Sequence, residues 1–245
     1  MGEVLAVSAS TTIERRAVRL TALLAAALGL AACGSQTGDD GGTLGGSLVQ
    51  VARQAIGSAG GGGAGAPAEA PRSAEQMAAT ALQVNPGPLV LAGLESAGVT
   101  QVLALTGENG AMRTYMTPNM EGVILRRGLL IGTRGIGNDL STAEIGTEGL
   151  IRSRSAGSGN RIMRIYGGDG RELPLPMTCT VATGAGQSFS FAGTAWNATQ
   201  VAETCRIAGA EVQNSYLVTA GGEIPVSRQW AGPGLGYITL QTIRP

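Results

Sequence analysis

From about residue 86 onward, the chain consists of short apolar runs separated by turns rich in glycine. The clearest examples are three pairs of runs that flank the turns GENG, GGDG and AGGE, at residues 107–110, 167–170 and 220–223. Glycine in such turns supplies the positive φ that tight hairpins require. The pattern therefore predicts a mainly β domain over residues 86–245, with antiparallel meander sheets that form a barrel-like or sandwich structure.

Before this domain the pattern is helical and then of low complexity. Leu44, Leu48, Val51 and Ile56 recur at the spacing of a short amphipathic helix, and the glycine- and alanine-rich stretch 57–71 ends it. Ser73 followed by Gln76 has the capping-box spacing, which predicts a helix to about residue 83. Residues 44–85 thus form a helical and Gly/Ala-rich segment with one or two short helices.

One stretch inside the β domain departs from the strand pattern. Residues 139–153, DLSTAEIGTEGLIRS, are interpreted as a helical or irregular crossing that Asp139 could cap. The preceding GLLIGTRGIGNDL lacks the G-x-G-x-x-G order and the G-K-[ST] of phosphate-binding loops. We interpret it as a bend where an apolar strand leaves the sheet. Strands do not alternate with helices, which argues against a doubly wound nucleotide fold.

The first 32 residues have the pattern of a bacterial lipoprotein signal peptide. Arg15, Arg16 and Arg19 precede the apolar run LTALLAAALGLAAC, which is shorter than the roughly 20 residues that a membrane span needs. The run ends in LAAC, which resembles a lipobox and predicts that Cys33 is acylated and becomes the first mature residue; the alternative is an ordinary signal with a chance cysteine. Residues 33–43 are then a flexible tether. Gly34 after the cysteine, by resemblance to sorted lipoproteins, predicts an anchor in the outer membrane that faces the periplasm.

Secretion changes the interpretation of the two remaining cysteines. Cys179 and Cys205 are left as a pair in an oxidising compartment, where a disulfide is expected. Closing this loop would stabilise the domain by roughly 3.5 kcal/mol on the chain-entropy model. Two buried free thiols are the alternative.

The amino-acid composition excludes several kinds of catalytic and metal-binding site. All 17 basic residues are arginines, since the chain has no lysine and no histidine. Catalytic triads, imidazole bases, histidine zinc sites and lysine Schiff bases are therefore excluded, and we expect no metal and no cofactor. Carboxylate chemistry remains, but the acids of the β domain are scattered and read as solvated surface: Glu95, Glu108, Glu121, Asp139, Glu144, Glu148, Asp169, Glu172, Glu203, Glu211 and Glu223.

Charge and aromatic content limit the partners. From Cys33 on, 14 arginines oppose 15 acids, a net charge of −1 that predicts no nucleic-acid partner. Trp196 and Trp230 are the only tryptophans.

Pro233 predicts a bend between two strands, with Trp230 and Tyr237 on either side of it.

A candidate binding surface combines residues from two of these stretches. Its members are Arg134, Asp139, Arg228 and Trp230. Arginine and carboxylate groups can hydrogen-bond sugar hydroxyls while an indole stacks on the ring, but the same residues could instead hold two parts of the sheet together.

Three features together resemble a known family, the YjbF/GfcB group of lipoproteins that are encoded with group 4 capsule and exopolysaccharide export genes in Gram-negative bacteria. They are LAAC at 30–33, LLIGTRGIGNDLSTAE at 129–144 and SRQWAGPGLGYITLQTI at 227–243, and the late cysteine pair also fits. The resemblance implies an outer-membrane lipoprotein with a mainly antiparallel β fold. It implies membrane lipid, an outer-membrane β-barrel and periplasmic export proteins as partners, and no catalytic residues to carry over.

The predicted function is a non-enzymatic accessory to capsule or exopolysaccharide secretion or assembly. One alternative is a periplasmic glycan-binding module that contacts the polysaccharide itself. Another is a glycan-processing enzyme, which would need two carboxylates facing each other about 5 to 10 Å apart.

Overall fold

The computed structural model describes residues 72–245. The signal peptide, Cys33, the tether and the helix predicted around residues 44–56 lie outside the described residues. No helix within 72–245 has the length and apolar character needed to cross a membrane.

The described part begins with helix α1, Ala74–Val84. The Ser73 hydroxyl accepts a hydrogen bond from the Gln76 backbone N–H, and the Gln76 side chain accepts one from the Ser73 N–H, so the predicted capping box is confirmed. The helix buries Ala74, Ala78 and Ala81 against the outer side of the sheet. Small side chains on this face allow the helix to pack closely.

Twelve strands follow and form one antiparallel sheet. Their bounds are β1 Leu89–Leu94, β2 Val99–Asn109, β3 Met112–Met116, β4 Gly122–Arg126, β5 Leu129–Arg134, β6 Leu140–Ile145, β7 Gly157–Tyr166, β8 Glu172–Phe191, β9 Thr194–Ile207, β10 Ala210–Thr219, β11 Val226–Trp230 and β12 Tyr237–Arg244. A 3-10 helix, Glu95–Ala97, follows β1, and helix α2, Glu148–Ser153, follows β6.

The sheet consists of two meanders, β1 to β5 and β6 to β12. They are joined where β1 pairs with β12, so that β5 and β6 form the two edges. These edges approach each other: the Leu140 backbone N–H donates to the Thr133 hydroxyl at 2.9 Å. The sheet therefore curls into a nearly closed barrel, and the predicted mainly β fold is confirmed in its barrel-like form.

The interior of the barrel holds the main core. Inward-facing side chains from most strands fill it, among them Leu103, Val123, Leu130, Val201, Val218 and Leu240. The predicted disulfide is present and joins Cys179 to Cys205, which face each other across β8 and β9 and are fully buried. The disulfide links the two longest strands on the inner side of the barrel sheet.

All three predicted hairpins form, between β2 and β3, β7 and β8, and β10 and β11. The first differs in detail, since β2 continues to Asn109 and the turn lies at residues 110–111. Pro233 lies in the loop between β11 and β12, as predicted.

The interpretation of residues 139–153 as a helical or irregular crossing was wrong over its first half. Residues Leu140–Ile145 form strand β6, and only Glu148–Ser153 are helical. Asp139 does not cap a helix; its carboxylate accepts hydrogen bonds from the Thr133 hydroxyl and from the backbone N–H groups of Gly135 and Ile136. An aspartate that closes a turn has the same local signature as one that caps a helix.

The antiparallel order places successive loops at opposite ends of the barrel. The Pro233 end carries the 3-10 helix and the loops 117–121, 135–139, 167–171, 208–209 and 231–236. The α2 end carries helix α2 and the turns 110–111, 127–128, 192–193 and 220–225. Each end encloses a cavity of different character.

Candidate functional site

The predicted binding residues all lie toward the Pro233 end. Arg134 ends β5 and Asp139 lies in the next loop, while Arg228 and Trp230 are on β11. The two loops touch, because a Cβ atom on Gly234 would lie only 2.5 Å from the Cβ of Asn138. The structure therefore brings the two sequence motifs together at one end of the barrel.

Arg228 is held by two neighbours. Its Nε and Nη2 each donate to the Glu95 carboxylate at 2.7 Å, a bidentate ion pair. Its guanidinium carbon also lies 3.4 Å from the centre of the Tyr237 ring. Burial alone would lower the pKa of Arg228, but the hydrogen bonds to Glu95, the Glu95 charge and the Tyr237 side chain together outweigh burial and hold that pKa above its ordinary value. Through these contacts Arg228 holds the 3-10 helix against β11 and β12.

The other members of the predicted surface differ in how free their side chains are to contact a ligand. The Asp139 carboxylate is occupied by the turn that it closes. The Arg134 side chain is exposed and has no ion pair within residues 72–245. Trp230 is half-buried, and its backbone N–H donates to the Asn214 side chain at 2.7 Å. Whether these residues bind a glycan stays a prediction, with Arg134 and the exposed side of Trp230 as its accessible groups.

The Pro233 end also displays apolar groups. A cavity of about 250 Å³ lies there, lined mainly by aliphatic side chains that include Leu94, Val99 and Ile136. Four of the five exposed large hydrophobic residues of the described chain are at this end: Val99, Met120, Tyr166 and Leu173. Val99, Tyr166 and Leu173 lie at the ends of strands β2, β7 and β8, and Met120 lies in the loop between β3 and β4. Exposed apolar groups that gather at one place are typical of surfaces that contact other molecules.

A buried polar cluster occupies the barrel interior, and sequence reasoning missed it. Glu203 on β9, which was expected to be solvated, is fully buried. Its carboxylate forms an ion pair with Arg161 and accepts hydrogen bonds from Asn214 at 2.8 Å and Tyr216 at 3.0 Å; Oε1 accepts from the Thr147 hydroxyl. Four donors from three parts of the chain, which are β7, β10 and the residue before α2, thus surround one carboxylate.

The protonation states in this cluster follow from its surroundings. Burial, reinforced by the nearby Glu203 charge, raises the pKa of Tyr216 far above its ordinary value. Burial would lower the pKa of Arg161, but Tyr216 and Glu203 together raise it. Tyr216 is therefore a neutral donor and Arg161 a permanent cation, an arrangement that fixes the carboxylate in place.

The same cluster does not form a metal site. Glu203 lies within 4.8 Å of the sulfurs of Cys179 and Cys205. Both sulfurs are in the disulfide, so neither can offer the thiolate that a metal would bind.

The cavity at the α2 end is larger and mixed in character. It has a volume of about 380 Å³, and its walls combine two aromatic residues, Tyr115 and Trp196, with five charged ones. The charged residues are Glu108, Arg113, Arg127, Arg152 and Glu223. They come from β2, β3, the turn after β4, α2 and the loop after β10, so no local motif could have revealed the cavity.

Comparison with known proteins agrees with this architecture. The sequence model of the family described as group 4 capsule polysaccharide lipoprotein gfcB, YjbF matches residues 49–243, more than half of the chain. The crystal structure of the hypothetical lipoprotein YmcC from Escherichia coli (K12) superposes with a TM-score of 0.61 at 16% identity, over 69% of this chain and 90% of that one. At this identity the likeness concerns the fold. No curated protein matches the chain.

Proposed function

We propose, from the premise that this chain belongs to the family of group 4 capsule polysaccharide lipoproteins, that it is a non-enzymatic accessory to the secretion or assembly of capsule or exopolysaccharide. The match over residues 49–243 is the observation that carries the proposal. The protein is anchored by acylated Cys33 in the outer membrane and faces the periplasm. Its partners are an outer-membrane β-barrel and periplasmic proteins of the same export system.

The location of the anchor is supported by the sequence. The apolar run before Cys33 is followed by the glycine-rich stretch that the sequence predicts to be a tether. Two or more acyl chains provide stable attachment, since each buried CH₂ contributes ~0.8 kcal/mol. Gly34 favours the outer membrane.

A non-enzymatic role is supported by the state of the buried acid. Glu203 is fully buried and its carboxylate already accepts from four donors within the protein, so it is not accessible to a substrate. The chain also has no histidine and no lysine to act as a base near neutral pH. This favours an assembly role over carboxylate catalysis.

The Pro233 end is the surface that we assign to partner proteins. Its rim carries the exposed side chains of Met120, Tyr166 and Leu173. Association through such a rim would remove apolar surface from water, at roughly 25 cal/mol per Å². The half-buried Trp230 and the exposed Arg134 lie at the same end and extend this surface with polar contacts.

Deletion of the gene tests the proposal directly. We expect the deletion strain to export much less capsule or exopolysaccharide, and a wild-type copy to restore it. A Cys33→Ser copy should remain unacylated, appear in the soluble periplasmic fraction and fail to restore full export. Normal export in the deletion strain would contradict the accessory role, and a Cys33→Ser protein that still fractionates with the outer membrane would contradict the anchor.

A further inference from the structure

We propose that the cavity at the α2 end binds a saccharide unit of the exported polymer. This inference rests on the proposed function and deepens it by naming a ligand class and a site. The residues that carry it are Trp196, Arg152 and Glu223, none of which belongs to the surface predicted from the sequence.

The cavity has the dimensions of a small-molecule site. Its volume of about 380 Å³ falls in the range of ~300–1,000 Å³ that is typical of ligand pockets. Apolar side chains such as Leu125 and Ile224 form part of its wall, and the aromatic residues Tyr115 and Trp196 form another part. A sugar ring has apolar C–H faces and polar edges, and a wall of this mixed kind suits both.

Trp196 supplies an independent indication of a ligand. Only 9% of its surface is exposed, and its indole Nε1 is buried without a hydrogen-bond partner within residues 72–245. An indole N–H can only donate, and a buried donor without an acceptor is unfavourable. Because this atom is enclosed, the indole would tilt toward a bound saccharide so that a hydroxyl oxygen becomes its acceptor.

The charges of the cavity wall determine what kind of saccharide fits. Arg113 pairs with Glu108 at 2.8 Å, whereas Arg127 at 3.1 Å shares the Glu148 carboxylate with Arg126 at 2.9 Å. Arg152 and Glu223 have no ion pair within the described chain. Beside the unpaired Arg152 and Glu223, one positive charge of Arg126 and Arg127 is therefore left over, so the wall accommodates neutral units as well as units with an acid group.

Arg152 is positioned to donate to a ligand. Its Nε donates to the Gly222 carbonyl at 3.1 Å, which fixes the guanidinium at the cavity wall. The terminal nitrogens have no hydrogen bond to another described residue. Hydroxyl groups both donate and accept, so they can pair with Arg152 and with the Glu223 carboxylate at the same time. The cavity at the Pro233 end has a mainly aliphatic wall and would leave most hydroxyls unpaired.

The chain allows a clean optical test, since it has two tryptophans. In the acylated protein in detergent, Trp230→Phe leaves Trp196 as the only indole. The probe is a set of oligosaccharides cut from the polysaccharide that the source strain exports. We expect saturable changes in Trp196 fluorescence, and we expect Arg152→Gln to raise Kd about tenfold, as for a lost hydrogen bond to a charged group. Arg171→Gln, at the opposite end and 85% exposed, is the matched control and should leave Kd unchanged.

Calorimetry on the chain with both tryptophans provides a second measurement that does not depend on the Trp230→Phe variant. An oligosaccharide that binds without a change in Trp196 fluorescence, or with equal Kd for wild type and Arg152→Gln, would overturn the assignment to this cavity, as would the absence of binding.

Complementation separates this inference from the proposed function. A double variant, Trp196→Phe with Arg152→Gln, is introduced into the deletion strain and its abundance is checked by immunoblot. If the deletion abolishes export and the double variant restores it fully, the saccharide site is refuted and the accessory role stands. If the deletion leaves export normal, the accessory role fails, whatever the outcome of the binding measurement.

Discussion

Arg161 and Glu203 form an ion pair inside the barrel, where their side chains are 1% and 0% exposed. The pair links β7 to β9 across β8, on the inner side of the wall. Nε and Nη2 of Arg161 have no hydrogen-bond partner among the described residues, so the guanidinium depends on its contacts through Nη1. Removing one member of such a pair leaves the other charge buried and unpaired.

We expect Glu203→Gln to lower the free energy of unfolding by about 3–5 kcal/mol, because Arg161 would remain charged in the interior. The double variant Arg161→Met with Glu203→Leu should lose less of the free energy of unfolding than Glu203→Gln alone. Urea denaturation followed by circular dichroism measures both. A single variant no less stable than the double one would show that the pair is not electrostatically coupled. Arg171→Ala, at an exposed pair, is the control and should change stability by less than about 0.5 kcal/mol.

Removal of the disulfide should weaken the barrel without changing its architecture. Cys179 and Cys205 are 26 residues apart, and a loop of this size predicts a loss of about 3.5 kcal/mol for the variant with both cysteines changed to alanine. Cys33→Ser leaves the barrel untouched and should unfold at the wild-type urea concentration. A double alanine variant as stable as wild type would show that packing between β8 and β9 suffices.

Tyr216 should make stability depend on alkaline pH. Its pKa is raised in the folded chain, so folded protein holds the phenolic proton more tightly than unfolded protein does. The free energy of unfolding is therefore unaffected by this group below pH ~10, the ordinary tyrosine value, and falls above it by about 1.4 kcal/mol per pH unit. Tyr216→Phe should be less stable at neutral pH, because Glu203 loses a donor, but should show a shallower alkaline decline. Tyr166→Phe, at an exposed position, should keep the wild-type slope.

Arg228 should contribute to stability through geometry as well as charge. Arg228→Lys keeps the cation but cannot donate two parallel hydrogen bonds to Glu95 or lie flat over Tyr237. We expect Arg228→Lys to lower the free energy of unfolding by about 1–2 kcal/mol, which is most of the loss expected for Arg228→Ala. Arg134→Lys, at an exposed position of the same end, is the control and should behave as wild type. A Lys variant as stable as wild type would mean that charge alone holds the 3-10 helix.

The parts of the fold that follow local rules could be predicted from the sequence. The capping box of Ser73 and Gln76 and the glycine turns of the hairpins depend on neighbouring residues only. Strand β6 was missed for two reasons. Its register shifts between Leu140 and Thr142, which interrupts the alternation of apolar and polar residues. In addition, Asp139 precedes it in the position that a helix-capping residue would have. The pairing of β1 with β12 joins residues about 150 positions apart and has no local signal.

The sites were harder to predict than the strands. Arg134, Asp139, Arg228 and Trp230 could be chosen because they stand in two distinctive glycine-rich stretches, and the barrel does place them at one end. Glu203 stands among residues that give no sign of burial, and its partners come from neighbouring strands whose register has to be known: Asn214 and Tyr216 from β10 and Arg161 from β7. Arg152 and Trp196 meet at one cavity only because helix α2 and strand β9, which carry them, come together at the same end of the barrel.

The pairing of the first strand with the last one also sets the order in which the sheet can form. A chain made from its N-terminus delivers β1 early, yet β1 has β12 as one of its two partners. Until residues 237–244 are available, one side of β1 keeps its amide and carbonyl groups unpaired, and such an edge can pair with other chains. Truncation of the last few residues should therefore be as damaging as loss of the first strand.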